Sequence, residues 1–371
     1  MAEKVLMKGN EALAEAAIRA GCRLFFGYPI TPQTELAAYM SKYLPPVGGT
    51  YLQAESEVAA INMVYGAAAT GARVMTSSSS PGISLKQEGI SYMIGSDLPG
   101  LIVNIQRGGP GLGSIQAAQS DYWQATKGVG HGDGHILVFA PSTVQEMADL
   151  VALAFDRADK YRMPAMILAD GLLGQMMEPI ELPDPLDQPP IEKPWALTGH
   201  GNARPHNIVN SLSLDPQRLE EINIERFQRY EQVKANEQLS EEYLTEDAEV
   251  VVVAYGAAAR VAKSAVRAAR ADGVAAGLLR LISLWPYPVD KIEALADGSR
   301  RFLALELSQG QMVEDLRLAV NGRGDVHFFG HSGGIAPTPE ETSEVIRHIA
   351  AGGRDWLVSA GIRTVDEKGG Q

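Results

Sequence analysis

Residues 57–82, EVAAINMVYGAAATGARVMTSSSSPG, read as a helix, a strand and a polar loop in direct succession. The small, apolar run through Ala72 is expected to form a closely packed, buried helix, and RVMTSSSSPG to be a strand entering a hydroxyl-rich loop at 76–82. The same design recurs on both sides. LIVNIQRGGPG gives a strand at Leu101–Ile105 and a loop at 106–113, and RLFFGYPITP gives a short apolar strand that its prolines stop in a loop at 27–32. NEALAEAAIRA (10–20) has apolar positions at helical spacing, with Asn10 as the expected N-cap. HILVFAP reads as a strand, STVQEMADLVALAFDRADKY as a helix capped by Ser142, and AMILADG as the strand that closes the series. Strands alternating with helices imply a mostly parallel sheet covered on both faces. Ligands of such sheets sit beyond the carboxyl ends of the strands, so the loops at 27–32, 76–82 and 106–113 form a candidate site by topology alone.

Beyond residue 180 the pattern changes. Pro183, Pro185, Pro189, Pro190 and Pro194 precede a charged helix, LEEINIERFQRYEQVKANEQ. This stretch reads equally as an extended connector wrapping a partner and as a plain linker. A second α/β unit follows: EVVVVAYG as a strand, AARVAKSAVRAARADG as a helix ending at Gly273, AAGLLRLISLWPYP as one strand, RRFLALEL as another, GQMVEDLRLAVNG as a helix and DVHFFG as a final strand. The expected fold class is therefore α/β with two doubly wound, mostly parallel domains. They span 1–180 and 248–345, with a connector at 181–247 and a C-terminal tail at 346–371.

The bulk numbers agree. A chain of 371 residues is long for one domain, and 45% hydrophobic with 21% charged residues is ordinary for a globular protein. A formal net charge of -13 argues against nucleic acid or an anionic membrane as partners held by global charge. The single cysteine, Cys22, can form no disulfide within the chain and cannot hold an iron–sulfur cluster, which takes four thiolates. The N-terminus carries Glu3 and Glu11 without an apolar core, so no signal peptide is expected. No stretch approaches ~20 uninterrupted apolar residues, so no membrane span is expected either. A cytoplasmic location is the simplest expectation.

Several residues could carry chemistry. Glu57 heads the apolar helix; it is open whether it serves the helix dipole or is an ionisable group in apolar surroundings with a function. Glu55, two residues earlier, points elsewhere. Arg107 ends a strand and enters a glycine-rich loop, where a guanidinium beside exposed backbone amides suits a carboxylate or phosphate, or forms a structural ion pair. The string GGPGLG is not a dinucleotide fingerprint, because its spacing and its proline break the motif. Hydroxyls from Thr76 to Ser80 cap a helix or face a ligand. In HGDGH, His131, Asp133 and His135 have glycines between them that work against a helix presenting both histidines on one face, so no metal site is expected there.

Taken together, GNEALAEAAIRAG, GYPITPQTE, QAESEVAAINMVYGAA, ARVMTSSSSPGISLKQEGISY, QRGGPGLG, QSDYWQATKGVGHGD and the tail GHSGGIAPTPEE resemble one family, the 2-oxoacid:ferredoxin oxidoreductases. The resemblance covers nearly the whole chain and is strongest to the alpha-type subunit that acts on 2-oxoisovalerate. The YPITP loop followed by an SExxAA helix is its most specific signal. The resemblance implies a thiamine-diphosphate pyrimidine-binding domain joined to a transketolase C-terminal-like domain. It implies a cofactor shared with a beta-type subunit that binds pyrophosphate and Mg²⁺. A gamma-type subunit, and a ferredoxin-like iron–sulfur subunit with [4Fe-4S] clusters, complete the implied complex. The substrates implied are a 2-oxoacid and coenzyme A, in anaerobic metabolism. By the same resemblance Glu57 lies beside N1′ of the aminopyrimidine, Thr31 near the substrate and Arg107 on its carboxylate, with Tyr28, Pro29, Ile30, Ser79 and Ser80 against the cofactor. The GDG at 132–134 lacks the asparagine pair that follows it in thiamine-binding chains and is a chance match. Pyruvate, 2-oxoglutarate or an aryl 2-oxoacid as substrate stays open, as does a non-catalytic scaffold subunit. A stand-alone nucleotide-binding dehydrogenase fails on the absent phosphate fingerprint.

Overall fold

The computed structural model describes residues 4–186 and 191–353. Its strands in chain order are β1 (Lys4–Lys8), β2 (Leu24–Gly27), β3 (Thr50–Gln53), β4 (Val74–Ser78), β5 (Gly100–Gln106), β6 (Leu137–Phe139) and β7 (Pro164–Asp170). There follow β8 (Met177–Glu181), β9 (Ser240–Tyr243), β10 (Val250–Ala254), β11 (Ala276–Leu281), β12 (Ser283–Trp285), β13 (Arg301–Glu306) and β14 (Asp325–Gly330). A seven-stranded sheet has the order β12-β6-β7-β5-β4-β2-β3, and a five-stranded sheet the order β14-β13-β10-β11-β9. β1 and β8 form a separate antiparallel pair.

β2 to β7 of the first sheet are mutually parallel, so their carboxyl ends share one edge. β4, β5, β6 and β7 are buried along their whole length, which is why each carries an apolar run rather than an alternating pattern. β3 went unread in the sequence. It is a four-residue edge strand with mostly exposed side chains, and TYLQ has no apolar run to betray it.

Four details depart from the sequence reading. AAGLLRLISLWPYP is two strands: β11 lies in the second sheet, whereas β12 crosses over to pair antiparallel with β6 of the first. Asn10 is not a cap. Helix Gly9–Arg19 begins before it, and its fully buried amide donates to the Pro32 carbonyl at 2.9 Å. The cap of helix Val144–Tyr161 is Thr143 rather than Ser142; the Thr143 hydroxyl accepts from Glu146 N. The expected tail at 346 starts inside helix Pro339–Ala350, where Val345, Ile346 and Ile349 are buried against helix Gly256–Ala271. The rest of that tail, from 354, lies outside the described residues.

The connector packs on its own chain. Helix Pro216–Asn236 buries Arg226, Tyr230 and Val233. Arg226 and Arg229 both meet Asp97, and Tyr230 stands edge-on to Trp285, 5.4 Å between ring centres. Beyond it, β9 adds an antiparallel edge to the second sheet.

Candidate active site

The three loops do converge on one edge. The loop after β2 is tethered twice. Asn10 holds Pro32, and the buried Gln33 donates to the Tyr28 carbonyl at 3.3 Å while accepting from the Ser77 hydroxyl at 2.6 Å. Tyr28 and Ile30 are half-buried; Pro29 and Thr31 are exposed. Arg107, at the end of β5, reaches this loop. Its guanidinium donates to the carbonyls of Thr31 at 3.1 Å and Leu112 at 3.2 Å, and its buried Nε has no partner. No carboxylate lies within ion-pair distance of Arg107 among the described residues. The structural ion pair open in the sequence is therefore not what holds this side chain; Asp121 acts on its charge only from beyond ion-pair distance, which leaves the guanidinium able to take an anion.

Helix Glu57–Ala69 starts where Ser56, in an extended conformation, accepts from Ala59 N at 3.1 Å. It packs on helix Pro81–Gly95, and Gly89 is required there, since a Cβ would stand 2.6 Å from Ile61. The helix is buried on that side only; Val58 and Met63 are exposed on the other, contrary to the expectation of a buried helix. The Glu57 side chain is buried, with no hydrogen bond or ion pair to a described residue, while Glu55 is exposed. A buried carboxylate lacking a hydrogen-bond partner is costly unless a ligand meets it.

Beside it lies the end of β4. Ser78 and Ser79 are fully buried, and both hydroxyls lack a partner. A Cβ on Gly82 would fall 2.1 Å from Ser78 Oγ and 2.8 Å from Glu57 Oε1, so these two oxygens converge on the space that the glycine leaves. Ser80 differs. Its hydroxyl donates to Asp121 at 2.6 Å and accepts from Arg107 N at 3.0 Å, so it ties the 76–82 loop to the Arg107 loop. Burial pushes Asp121 up from the ordinary aspartate range, against hydrogen bonds from Ser80 and Asn104. Gln33 and Asp121 escaped the sequence reading, and Asn10 was read there only as a cap; Ser78 and Gly82 lie in the 76–82 loop that it did place at the site. The HGDGH histidines do not share a site: His135 stacks on Trp285 at 4.5 Å, whereas His131 is exposed beside Tyr92.

The second domain backs the Arg107 loop. Gln119 exchanges hydrogen bonds with Leu307 and donates to the Tyr255 carbonyl at 2.8 Å, and Tyr122 donates to Asp315 at 2.5 Å. Gly334 has room for no side chain, since a Cβ would lie 2.3 Å from that of Gln116.

A buried, unpartnered glutamate and orphaned serine hydroxyls at the carboxyl edge of a parallel sheet, with a free arginine beside them, suit a thiamine-diphosphate pyrimidine-binding domain. The family profile described as pyruvate flavodoxin/ferredoxin oxidoreductase, thiamine diP-binding, matches residues 15–248, and that of pyruvate:ferredoxin oxidoreductase core domain II matches 248–342. Ketoisovalerate oxidoreductase subunit VorB of Methanothermobacter thermautotrophicus is 50% identical over 94% of this chain and 99% of its own. The 2-oxoglutarate synthase subunit KorA of the same organism is 37% identical over 93% and 99%. The 2-oxoglutarate:ferredoxin oxidoreductase from Magnetococcus marinus, solved with 2-oxoglutarate, coenzyme A and succinyl-CoA bound, superposes with TM-score 0.84 at 28% identity; the match covers 94% of this chain and 66% of that one. A split-gene transketolase, solved as an inactive beta4 tetramer, shares the fold at 13% identity and TM-score 0.57. This chain belongs to the 2-oxoacid:ferredoxin oxidoreductase family, as an alpha-type subunit similar to the ketoisovalerate ones.

Proposed function

We propose that this chain activates thiamine diphosphate in an oxidoreductase that converts a branched-chain 2-oxoacid, 2-oxoisovalerate or a close analogue, to its acyl-CoA. The observation that carries the reading is Glu57, a buried carboxylate whose hydrogen-bonding capacity is unused and which faces the unpartnered hydroxyl of Ser78 across the Gly82 gap. These groups fit the polar edge of an aminopyrimidine. When bound, the cofactor supplies the nucleophilic carbon and the electron sink for decarboxylation. Glu57 would hold and return a proton at the ring nitrogen, Ser78 and Ser79 would offer hydrogen bonds to the ring edge, and Tyr28, Pro29 and Ile30 would wall it. Arg107, beside the Thr31 backbone, binds the substrate carboxylate.

In the net reaction the bond between the carboxylate carbon and the keto carbon breaks and carbon dioxide leaves. The coenzyme A thiol loses its proton to solvent as its sulfur bonds to the acyl carbon, and the two electrons released would pass to iron–sulfur clusters on partner chains. Cys22 is fully buried, and burial pushes its thiol up to about 12, so it offers no thiolate to a cluster. Leu112, Ile115 and Ile335 stand exposed around the site edge, which supports closure by a partner carrying Mg²⁺ and the pyrophosphate site. The greater identity to ketoisovalerate than to 2-oxoglutarate subunits favours a branched-chain substrate. Among the described residues no helix is long and apolar enough to cross a membrane.

The test is anaerobic viologen reduction by the complex that co-purifies with this chain, supplied with thiamine diphosphate, Mg²⁺ and coenzyme A. The substrates are 2-oxoisovalerate, 2-oxoglutarate, pyruvate and phenylglyoxylate. We expect the fastest turnover with 2-oxoisovalerate, none from this chain alone, and a loss of roughly 100-fold or more in Glu57→Gln with assembly intact. Near-normal turnover in that variant sinks the assignment of Glu57, and preference for another oxoacid sinks the substrate.

A further inference from the structure

Asp121 is buried just before the short helix Tyr122–Thr126, at the end of the loop that Arg107 begins. Its Oδ2 accepts from the Ser80 hydroxyl at 2.6 Å and from the Asn104 amide at 2.9 Å. The Asn104 oxygen in turn accepts from Ser80 N at 3.1 Å, and Gln106 Oε1 accepts from Asp121 N at 3.1 Å. Asn104 and Gln106 are alternate residues of β5, so their side chains leave the strand on one face. From there they hold the loop of Asp121 against the loop of Ser80.

Ser80 is where these bonds meet. Its φ of 24° lies in the region that favours glycine, and such a conformation persists only where its surroundings over-determine it. Three bonds do so: the Ser80 N–H donates to Asn104, the hydroxyl donates to Asp121, and the hydroxyl oxygen accepts from Arg107 N at 3.0 Å. Ser78 and Ser79, buried with unpartnered hydroxyls, precede this turn, and the gap at Gly82 follows it. The backbone of Ser80 thus aims the cofactor loop, while its hydroxyl fixes the backbone from which the Arg107 side chain starts.

We propose that Asp121 is a positioning residue for both halves of the site: its Oδ2, through Ser80, holds the Ser78 and Ser79 hydroxyls towards the cofactor ring and the Arg107 guanidinium towards the substrate carboxylate. This rests on the roles given above to Ser78, Ser79 and Arg107. Because one oxygen accepts both bonds, an amide oxygen can take its place, and the negative charge is not what positions. Without the acceptor, the Ser80 hydroxyl turns to the Arg107 carbonyl, 3.2 Å away, and the Asn104 amide is left buried without its partner.

The test measures KM and kcat for 2-oxoisovalerate, thiamine diphosphate affinity and melting temperature in the assembled complex. Asp121→Ala should raise KM and weaken cofactor binding by ~10-fold each, while Asp121→Asn stays within about twofold of the wild type. Ser80→Ala should show the same pair of effects, and the double variant should be no worse than Asp121→Ala alone, since both act through one bond. A lower melting temperature with KM and cofactor affinity unchanged overturns the proposal. So does an Asp121→Asn variant as impaired as Asp121→Ala, which would make the charge the active property. Should Asp121→Ala fail to assemble, Ser80→Ala decides: unchanged KM and cofactor affinity in that variant overturn the proposal too. A KM that responds to neither Arg107→Ala nor Asp121→Ala sinks the reading of Arg107, whereas one that responds to Arg107→Ala alone sinks the role of Asp121.

Discussion

Arg107 donates only to two backbone carbonyls and is in ion-pair contact with no carboxylate of the described residues, Asp121 acting on it only at longer range, and this makes it sensitive in a specific way. Arg107→Ala should raise the 2-oxoacid KM by roughly 10- to 100-fold, the value of charge-assisted hydrogen bonds to a carboxylate, while thiamine diphosphate binding barely changes. Steady-state kinetics and cofactor titration check this, and a variant that loses cofactor instead would move Arg107 to the pyrophosphate. Gly82→Ala should lower kcat by roughly 100-fold, because its Cβ pushes Glu57 and Ser78 apart, yet should unfold at nearly the wild-type temperature if Ser78 turns aside. A kinetic assay beside a thermal melt separates the two effects. Glu57 and Arg107 could be picked out in the sequence because their own neighbours are unusual, a carboxylate before an apolar helix and a guanidinium before glycines. Asn10 and Gln33 could not. Asn10 and Gln33 act on partners brought by other elements, Pro32 and Ser77, and the convergence of Glu57 and Ser78 on the gap at Gly82 joins two helices and a strand. Such meetings exist only after folding.

Among the elements, helix Pro216–Asn236 and β12 meet at one aromatic cluster. His135 stacks on Trp285 and stands edge-on to Tyr230 and Phe227, and burial lowers it from its ordinary 6.5 to about 4. The fold holds the neutral imidazole. Its contribution is therefore present above pH 6.5 and is lost as pH falls towards 4, because the unfolded chain takes up the proton first. Melting temperature should fall across that window, and His135→Phe should flatten the fall; an unchanged slope in the variant contradicts the assignment. The strand series of the first sheet was legible because β4 to β7 are buried end to end and each carries an apolar run, with polar residues such as Ser77, Ser78, Gln106 and Asp170 gathering at the carboxyl ends of β4, β5 and β7. The break between β11 and β12 was not, because LLRLISLW stays apolar across Ile282, and burial in either sheet selects the same residues. The register tells them apart: Ile282 N bonds Leu239 O, whereas Ile282 O accepts from Ala140 N.

For the whole molecule, the two domains share the loop that carries Arg107. Asp315 of the second domain accepts from Tyr122 and Lys127 of the first, and Gln119 bonds both Leu307 and Tyr255. Asp315→Ala leaves the Tyr122 hydroxyl buried without its acceptor and should cost ~1–3 kcal/mol, together with a higher 2-oxoacid KM as the loop loosens. Denaturation and kinetics of one preparation check both. β12 adds backbone hydrogen bonds to the coupling, since a strand from the second domain completes the first sheet. Calorimetry should therefore show one transition for both domains rather than two. The crossing also limits how the gene can be cut. A break near residue 248, where the two family profiles meet, would separate β6 from its neighbour and leave the backbone of Leu137–Phe139 as an open, apolar edge ready to recruit strands from other molecules. A version of this protein divided between two polypeptides would have to keep residues 283–285 with the first of them, or arise with a new strand in their place.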